Sequence, residues 1–326
     1  MAILQTHSDT RTRNFTNLPL GTSKRVLIIS PHPDDETISA GGLIQVALDL
    51  GAEVKIVIVT NGDGQVFAPL VLKGQFRPRP ADFITHGERR QSEAIASLSR
   101  LGVSPRDIFF LGYPDRGLNA LWLGDWTNKC PVRAAYTKAI TNPYSIAFNH
   151  KARYCGSDLL ADLQTIFQNY SPDFVVLPHP NDEHPDHRAI SNFVRLVLAL
   201  QIMADVKYHI EVWGYLIHYG SYPQPRGLHI NRSLLLPKLS SSENIKWAIL
   251  NLTAQQVQVK YAAVQSYITQ RRLLGSFLPT FIRPNENFIN LCIPDFVLSK
   301  ESSFIIPSSL SERADKAKWM INCKHE

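Results

Sequence analysis

From residue 25 onward the chain alternates short, wholly apolar runs with longer stretches in which apolar residues recur every three or four positions. The first run, RVLIIS (25–30), is rich in β-branched residues and has no polar face. That predicts a strand covered on both sides, as in a parallel sheet. TISAGGLIQVALDLG (37–51) then sets Ile38, Leu43, Val46, Ala47 and Leu50 on one helical face, with Gly51 as the stop. EVKIVIVTNGDG (53–64) reads as a second strand running into a turn. The opening unit is therefore β-α-β, with a right-handed crossover.

The alternation continues. ERRQSEAIASLSRLG (88–102) predicts an amphipathic helix ended by Gly102, and DIFFLGYPD (107–115) a third strand and loop. SDLLADLQTIFQNY (157–170) predicts a helix capped by Ser157, and DFVVLP (173–178) a fourth strand. The fold class that follows is α/β. It is a Rossmann-like, doubly wound, mostly parallel sheet with helices on both faces.

The same pattern divides the chain. Residues 1–23 are polar and Thr/Asn-rich and read as a flexible arm. Residues 24–207 form the Rossmann-like core, interrupted at 65–86 and 114–156 by stretches without periodicity that read as long loops. The second loop carries Trp122, Trp126, Tyr136 and Tyr144 beside Arg133, Lys138, Lys151 and Arg153. It reads either as a wall of a binding site or as a structured excursion. Residues 208–326 read as a β/helix extension of the same domain. It would hold strands at 209–220 and 228–237 and a helix at 253–270 opened by a Thr253–Gln256 capping box.

Composition narrows the classes. At 326 residues, 44% apolar and 19% charged, the chain is globular rather than disordered. Its longest apolar run (193–206) is interrupted by Arg195 and Asp205, so no membrane span is expected. The N-terminus has no signal-type apolar core, which points to a cytoplasmic protein. The four cysteines are scattered without a C-x-x-C pair, which suggests reduced thiols and neither a disulfide framework nor a Cys-zinc site. The net charge is +6, but lysines and arginines are dispersed. That favours a solvated surface or an anionic substrate and argues against nucleic acid as a partner.

Two dense polar clusters carry the candidate chemistry. ISPHPDDET (29–37) follows the first strand, and LPHPNDEHPDHRA (177–189) follows the fourth. Open parallel sheets bind ligands outside the carboxyl ends of their strands, so both clusters belong on one rim. Imidazole plus carboxylate suits a catalytic zinc or another divalent first-row metal. In His-Pro-Asp-Asp the two aspartates need not point the same way. One can hold the metal while the other takes a proton from the water that the metal activates. Taken singly, Asp34, Asp35 and Glu36 could merely cap a helix, and the His-rich stretch could be a surface turn. Their shared rim argues against both.

These residues resemble the LmbE-like, or PIG-L, family of zinc-dependent N-acetylglucosamine de-N-acetylases. The family's P-H-P-D-D-E motif is matched by Pro31–Glu36 and its H-P-D-H motif by His184–His187. RQSEAIASLSRLGV (90–103), LGYPDRGL (111–118) and KYAAVQSYITQ (260–270) are similar to weaker family segments, and the likeness spans about 25–275. The resemblance implies deacetylation of a GlcNAc conjugate, a small-molecule substrate, by a metal-activated water. It makes His32, Asp35 and His187 the metal ligands, Asp34 the general base, and His184 the oxyanion or acid group. Arg90 and Asp115 match sugar-contact positions. Glu36 would serve as a supporting group or helix cap, and His179 would be structural. Where some members carry Tyr, this chain has Asp182, which makes His218 a candidate for the second oxyanion contact, the alternative being a packed core histidine. The alternatives are hydrolysis of another bond such as a phosphoester, or a non-catalytic carbohydrate-binding relative.

Overall fold

Every apolar run expected as a core strand is a strand in the computed structural model. It describes residues 14–291 apart from 16–17, 22–23, 125, 128, 205–209, 238 and 240–244. In chain order come β1 (Asn14–Phe15), β2 (Arg25–Ser30), α1 (Asp35–Asp49), β3 (Glu53–Thr60), α2 (Ala68–Lys73), α3 (Pro80–Arg100), β4 (Ile108–Tyr113) and α4 (Leu118–Leu123). Then follow α5 (Gly156–Tyr170), β5 (Phe174–Pro178), α6 (Pro185–Ala204), β6 (Glu211–Tyr215), β7 (Lys246–Asn251), α7 (Ala254–Gln265), α8 (Ile268–Leu274) and β8 (Asn285–Asn290).

The strands lie in the order β1-β7-β8-β6-β5-β2-β3-β4, parallel except that β8 runs antiparallel to β6 and β7. From β2 the chain steps outward to β3 and β4, then returns to the other side of β2 to make β5. That reversal lies between the two strands that end in the polar clusters. It is where an open sheet leaves a crevice.

Period-two alternation splits the core. Leu27 and Ile29 of β2 pack with residues of α5 and α6, while Val26 and Ile28 pack with residues of α1, α3 and α7. Two glycines let α1 lie close to α7 and β8. A Cβ at Gly42 would sit 2.4 Å from Leu252 Cδ2. Into that contact comes a buried ion pair, Lys260 Nζ to Glu286 Oε1 at 2.5 Å. Glu286 also accepts from the Gly42 and Leu43 amides at 2.6 and 2.9 Å, and Lys260 donates to the Ile38 carbonyl at 2.8 Å.

Some expectations are corrected. The 65–86 loop contains α2 and the first turns of α3, because Pro80 starts that helix and the Asp82 carboxylate accepts from the Arg79 amide at its N-terminus. α5 starts at Gly156 behind Cys155, so Ser157, expected as the cap, lies inside the helix. Residues 228–237 form no strand. Leu234 is held instead by the side chains of Asn285 and Asn287, which replace a backbone ladder. The helix expected over 253–270 has its Thr253–Gln256 capping box but breaks at Ser266–Tyr267 and resumes as α8. β7 and β8 were not anticipated. Trp122 and Trp126 pack inward against Phe193, at 5.0 and 5.2 Å between ring centroids, so this part of 114–156 is core rather than site wall. Within the arm expected at 1–23, Asn14–Phe15 pairs with β7, and residues 1–13 lie outside the described residues. Cys292 and Cys323 lie outside them too. Among the described residues no helix is long and apolar enough to cross a membrane.

Candidate active site

The three adjacent acids after β2 part company because the backbone turns sharply at Asp34. Its φ of 129° lies in a region that L side chains rarely adopt, at a cost of order 1–3 kcal/mol. The Asp34 carbonyl then accepts from Thr37 and Ile38 and opens α1. Glu36 turns inward. It accepts from Ser30 Oγ, Thr37 Oγ1, the Asp34 amide and the Tyr267 hydroxyl. Burial still holds its carboxyl above the usual range against those bonds. Glu36 thus ties the strand end to the α7–α8 break, the supporting role that the sequence suggested.

Asp35 faces the histidines. Its Oδ2 lies 3.0 Å from His32 Nδ1 and 3.1 Å from His187 Nε2. The His32, His184 and His187 rings are 4.8, 5.3 and 4.9 Å apart pairwise, and His218 is 5.1 Å from His187. α6 starts at Pro185, which swings His187 onto its first turn and leaves His184 just outside. The two clusters, about 150 residues apart, therefore meet at the switch point.

Burial and charge set the protonation of this group. Burial would raise the Asp35 carboxyl, but His187 and His32 pull it well below its ordinary value. Burial disfavours charge on His187, yet Asp182 and Asp35 outweigh it and raise the imidazole to about 9. His184 is pushed down to about 2 by burial and by the neighbouring histidines, and His218 to about 4 for the same reasons. The Asp186 amide donates to His184 Nδ1 at 3.2 Å. A neutral His184 therefore carries its proton on Nε2 and is a donor there.

Asp34 pairs with Arg90 rather than with a histidine. Arg90 Nη2 lies 3.1 Å from its Oδ2, and Arg90 also donates to the Pro33 and Gly62 carbonyls at 2.6 and 3.1 Å. Gly62 must be glycine, since a Cβ there would meet Arg90 Nη1 at 1.5 Å. Burial pushes the Asp34 carboxyl up to about 8, with Arg90 opposing and Asp35 and Glu36 assisting. On the opposite side His32 Nε2 lies 3.2 Å from Asp115 Oδ1 and 3.4 Å from Asp186 Oδ2. Asp115 accepts from the Gly64 amide at 2.8 Å, and Asp63 accepts from the Tyr144 hydroxyl at 2.5 Å.

All eight residues singled out from the sequence, His32, Asp34, Asp35, Arg90, Asp115, His184, His187 and His218, converge on this one rim. Sequence reasoning missed three others. Asp182, noted only as a departure, accepts from the His184, Ile217 and His218 amides at 3.0, 2.9 and 3.0 Å and lies 3.3 Å from His187 Nδ1. Asp186 accepts from the Arg116 and Leu118 amides at 2.6 and 3.1 Å, fastening the 114–156 excursion to α6. Asp63 sits in the turn after β3. Its position at a strand end was the available signal for it.

The residues fit a metal. His187 is fully buried, and neither ring nitrogen meets hydrogen-bond geometry although two carboxylates stand within ion-pair distance. An imidazole so placed wants another partner. Ligand atoms gather within 4.8 Å in three groups: His32–His184–His187, Asp35–His187–His218 and His32–Asp115–Asp186. The set named from the sequence, His32, Asp35 and His187, is none of these three groups as it stands, although Asp35 Oδ2 lies 3.0 Å from His32 Nδ1 and 3.1 Å from His187 Nε2. Nitrogen and carboxylate donors together suit a divalent first-row metal.

Comparison with known proteins gives a family and a fold. A family model described as PIG-L, GlcNAc-PI de-N-acetylase, matches residues 27–198. A 1D-myo-inositol 2-acetamido-2-deoxy-alpha-D-glucopyranoside deacetylase of Gordonia bronchialis is 29% identical over 198 residues, 58% of this chain and 61% of the relative. A diacetylchitobiose deacetylase of Thermococcus kodakarensis is 26% identical over 175 residues, 53% of this chain and 48% of the relative. The chain thus spans about half to three-fifths of the length of these curated relatives. Among solved structures, the N,N'-diacetylchitobiose deacetylase of Pyrococcus horikoshii has a TM-score of 0.52 at 19% identity, covering 87% of this chain and 89% of that one. An antimicrobial pseudoaglycone deacetylase has a TM-score of 0.52 at 18% identity, covering 82% and 96%. These two likenesses are of fold.

Proposed function

The chain belongs to the PIG-L, GlcNAc-PI de-N-acetylase, family, and on that premise we propose that it is a metal-dependent hydrolase that removes the N-acetyl group from a GlcNAc-containing substrate. One observation carries the reading. A buried His187 without hydrogen-bond geometry stands in a His/Asp cluster, while a second aspartate, Asp34, is turned aside and held by Arg90. A site that only stored a metal has no use for the second acid.

His32, Asp35 and His187 would hold the metal, which we take to be zinc or another divalent first-row ion. When bound it supplies a Lewis acid that polarises the acetamide and lowers the pKa of a water. Asp34 takes the proton of the attacking water, and burial raises its carboxyl above the usual range, which makes it a stronger base. Water oxygen adds to the carbonyl carbon and the C–N bond breaks. The proton passes from Asp34 to the departing amine, leaving acetate and a free amino sugar. His184 Nε2–H donates to the carbonyl oxygen as that oxygen gains charge. Asp182 orients His187, as an outer carboxylate does for a ligating imidazole. Asp115, His218 and the Arg90 Nε, a buried donor without a partner, are offered for the sugar hydroxyls. A cytoplasmic setting belongs to the same reading and is supported by the free thiols of Cys130 and Cys155.

The test is acetate release from N-acetylglucosamine conjugates by metal-loaded and chelated protein. Metal-dependent release is expected. A fully loaded protein that frees no acetate from any N-acetyl sugar overturns the reading.

A further inference from the structure

Helix α2 turns an apolar stripe to solvent. Phe67, Leu70 and Val71 recur at helical spacing and are 66%, 38% and 55% exposed, and Phe76 just beyond is 86% exposed. Single exposed hydrophobic residues need no account, but a stripe on one short element does. α2 packs against α8, where Ile268 and Leu274 are also exposed.

The two segments that form this face carry only basic charge, and the carboxylates beside it, Asp82, Glu88 and Glu93, belong to α3. Residues 64–81 carry Lys73, Arg77 and Arg79 and no carboxylate. Residues 253–285 carry Lys260, Arg271, Arg272 and Arg283, again with none. Lys260 and Arg283 are buried, and the other five reach solvent. The nearest acid along the chain, Asp82, is occupied by Gln75 and by the Arg79 amide at 3.0 and 2.8 Å. The face also borders the candidate active site at two points. Just before α2 the Gly64 amide bonds Asp115, and just after α8 Phe277 stacks on His218 at 5.3 Å.

We propose that the α2–α8 face docks this protein on an anionic lipid surface. The rings of Phe67 and Phe76 enter the headgroup region, and Lys73, Arg77, Arg79 and Arg272 face the anionic groups. Two properties select lipid over a protein partner. Phe67 and Phe76 leave 66% and 86% of their surface open to solvent, which suits a fluid surface that moulds around them. The exposed charges on α2, on the turn after it and on α8 are basic, as those of interfacial anchors are. Because α2 and α8 flank the rim, docking brings the cluster to the interface. The proposal concerns binding alone and does not rest on the deacetylase reading.

The experiment is sedimentation of the full chain with vesicles of phosphatidylcholine, with and without about one-third phosphatidylglycerol. Wild type is expected to pellet with the anionic vesicles and to be released as ionic strength rises past a few times the physiological value. Phe67→Ser with Phe76→Ser is expected to weaken binding by about tenfold or more from the lost apolar burial. Lys73→Glu with Arg77→Glu and Arg79→Glu is expected to abolish the preference for anionic vesicles. All five residues are exposed, so melting temperatures should match wild type and report that the fold is intact. Wild type that stays in the supernatant overturns the proposal, as do variants that bind like wild type. A wild-type dimer that the double serine variant converts to monomer overturns it in favour of a contact between two copies.

Discussion

Helix α1 carries two buried clusters of charge, one at its N-terminus and one at its middle, and they differ in how completely their atoms are bonded. At the middle, Glu286 accepts from Lys260 and from the Gly42 and Leu43 amides, while Lys260 donates to Glu286 and to the Ile38 carbonyl. Gly42 N–H and Ile38 C=O are partners in a regular helix, so the ion pair is inserted alongside the helix ladder itself. At the N-terminus, Asp34 sits at a strained φ, and the two His187 nitrogens stand 3.1 and 3.3 Å from carboxylates without meeting them in hydrogen-bond geometry. The lesson is that buried charge is not by itself a mark of function. A closed network rigidifies a fold, and an open one is waiting for a ligand or a reaction.

The comparison can be broken most severely at Asp34. Asp34→Asn is expected to lower turnover by about 10²- to 10⁴-fold while metal content and melting temperature stay near wild type. Acetate release beside metal analysis checks it. Loss of metal instead would exchange the roles of Asp34 and Asp35.

At the closed cluster the expected damage falls on stability. Glu286→Ala leaves Lys260 buried without its counter-charge and should cost roughly 3–5 kcal/mol. Lys260→Met combined with Glu286→Gln removes both charges and keeps an acceptor, so its melting temperature should recover part of the loss. A Glu286→Ala protein that melts like wild type yet turns over poorly would move this pair from the scaffold into the chemistry.

Metal removal sharpens the contrast through pH. In the folded chain His187 is raised from an ordinary 6.5 to about 9. Its charged form therefore stabilises the metal-free protein fully below 6.5, and that contribution is lost as pH rises toward about 9. The expected loss is on the order of a few kcal/mol. Thermal melts with a chelator should fall across that window. Melts with divalent metal should not, because metal and proton compete for the same imidazole. Parallel pH profiles with and without metal would mean that His187 is not a ligand.

The smallest effect belongs to Asp182. Asp182→Asn should weaken metal binding by about 10- to 100-fold, with turnover largely recovered at saturating metal. Competition with a chromophoric chelator reads the affinity directly, and an unchanged affinity would leave Asp182 with only its three backbone amides.

Much of the fold was legible because parallel strands covered on both faces are written as unbroken apolar runs, as in RVLIIS and FVVLP. The missed strand β8, NENFIN, shows where that signal stops. Asn285, Glu286 and Asn287 are all buried, and each is accommodated by groups far along the chain: Leu234, Lys260 and α1. The 228–237 segment was misread for the complementary reason. Its apolar residues looked like a strand, but its backbone is bonded by side chains of β8. Trp122 and Trp126 were open to a site reading because nothing local says that Phe193 lies beneath them.

By itself the sequence determined the donor chemistry and its address: imidazoles and carboxylates in two short motifs, each just past a buried strand. Local patterning suffices for that, since strand ends and helix starts are set by neighbours within a few residues. Only the tertiary structure decided how three consecutive acids divide their work. Asp35 turns to the histidines, Asp34 to Arg90 and Glu36 to Tyr267, and the last two partners lie 56 and 231 residues away. A buried carboxylate takes its role from what stands beside it in a low-dielectric interior, and those neighbours arrive through folding rather than along the chain.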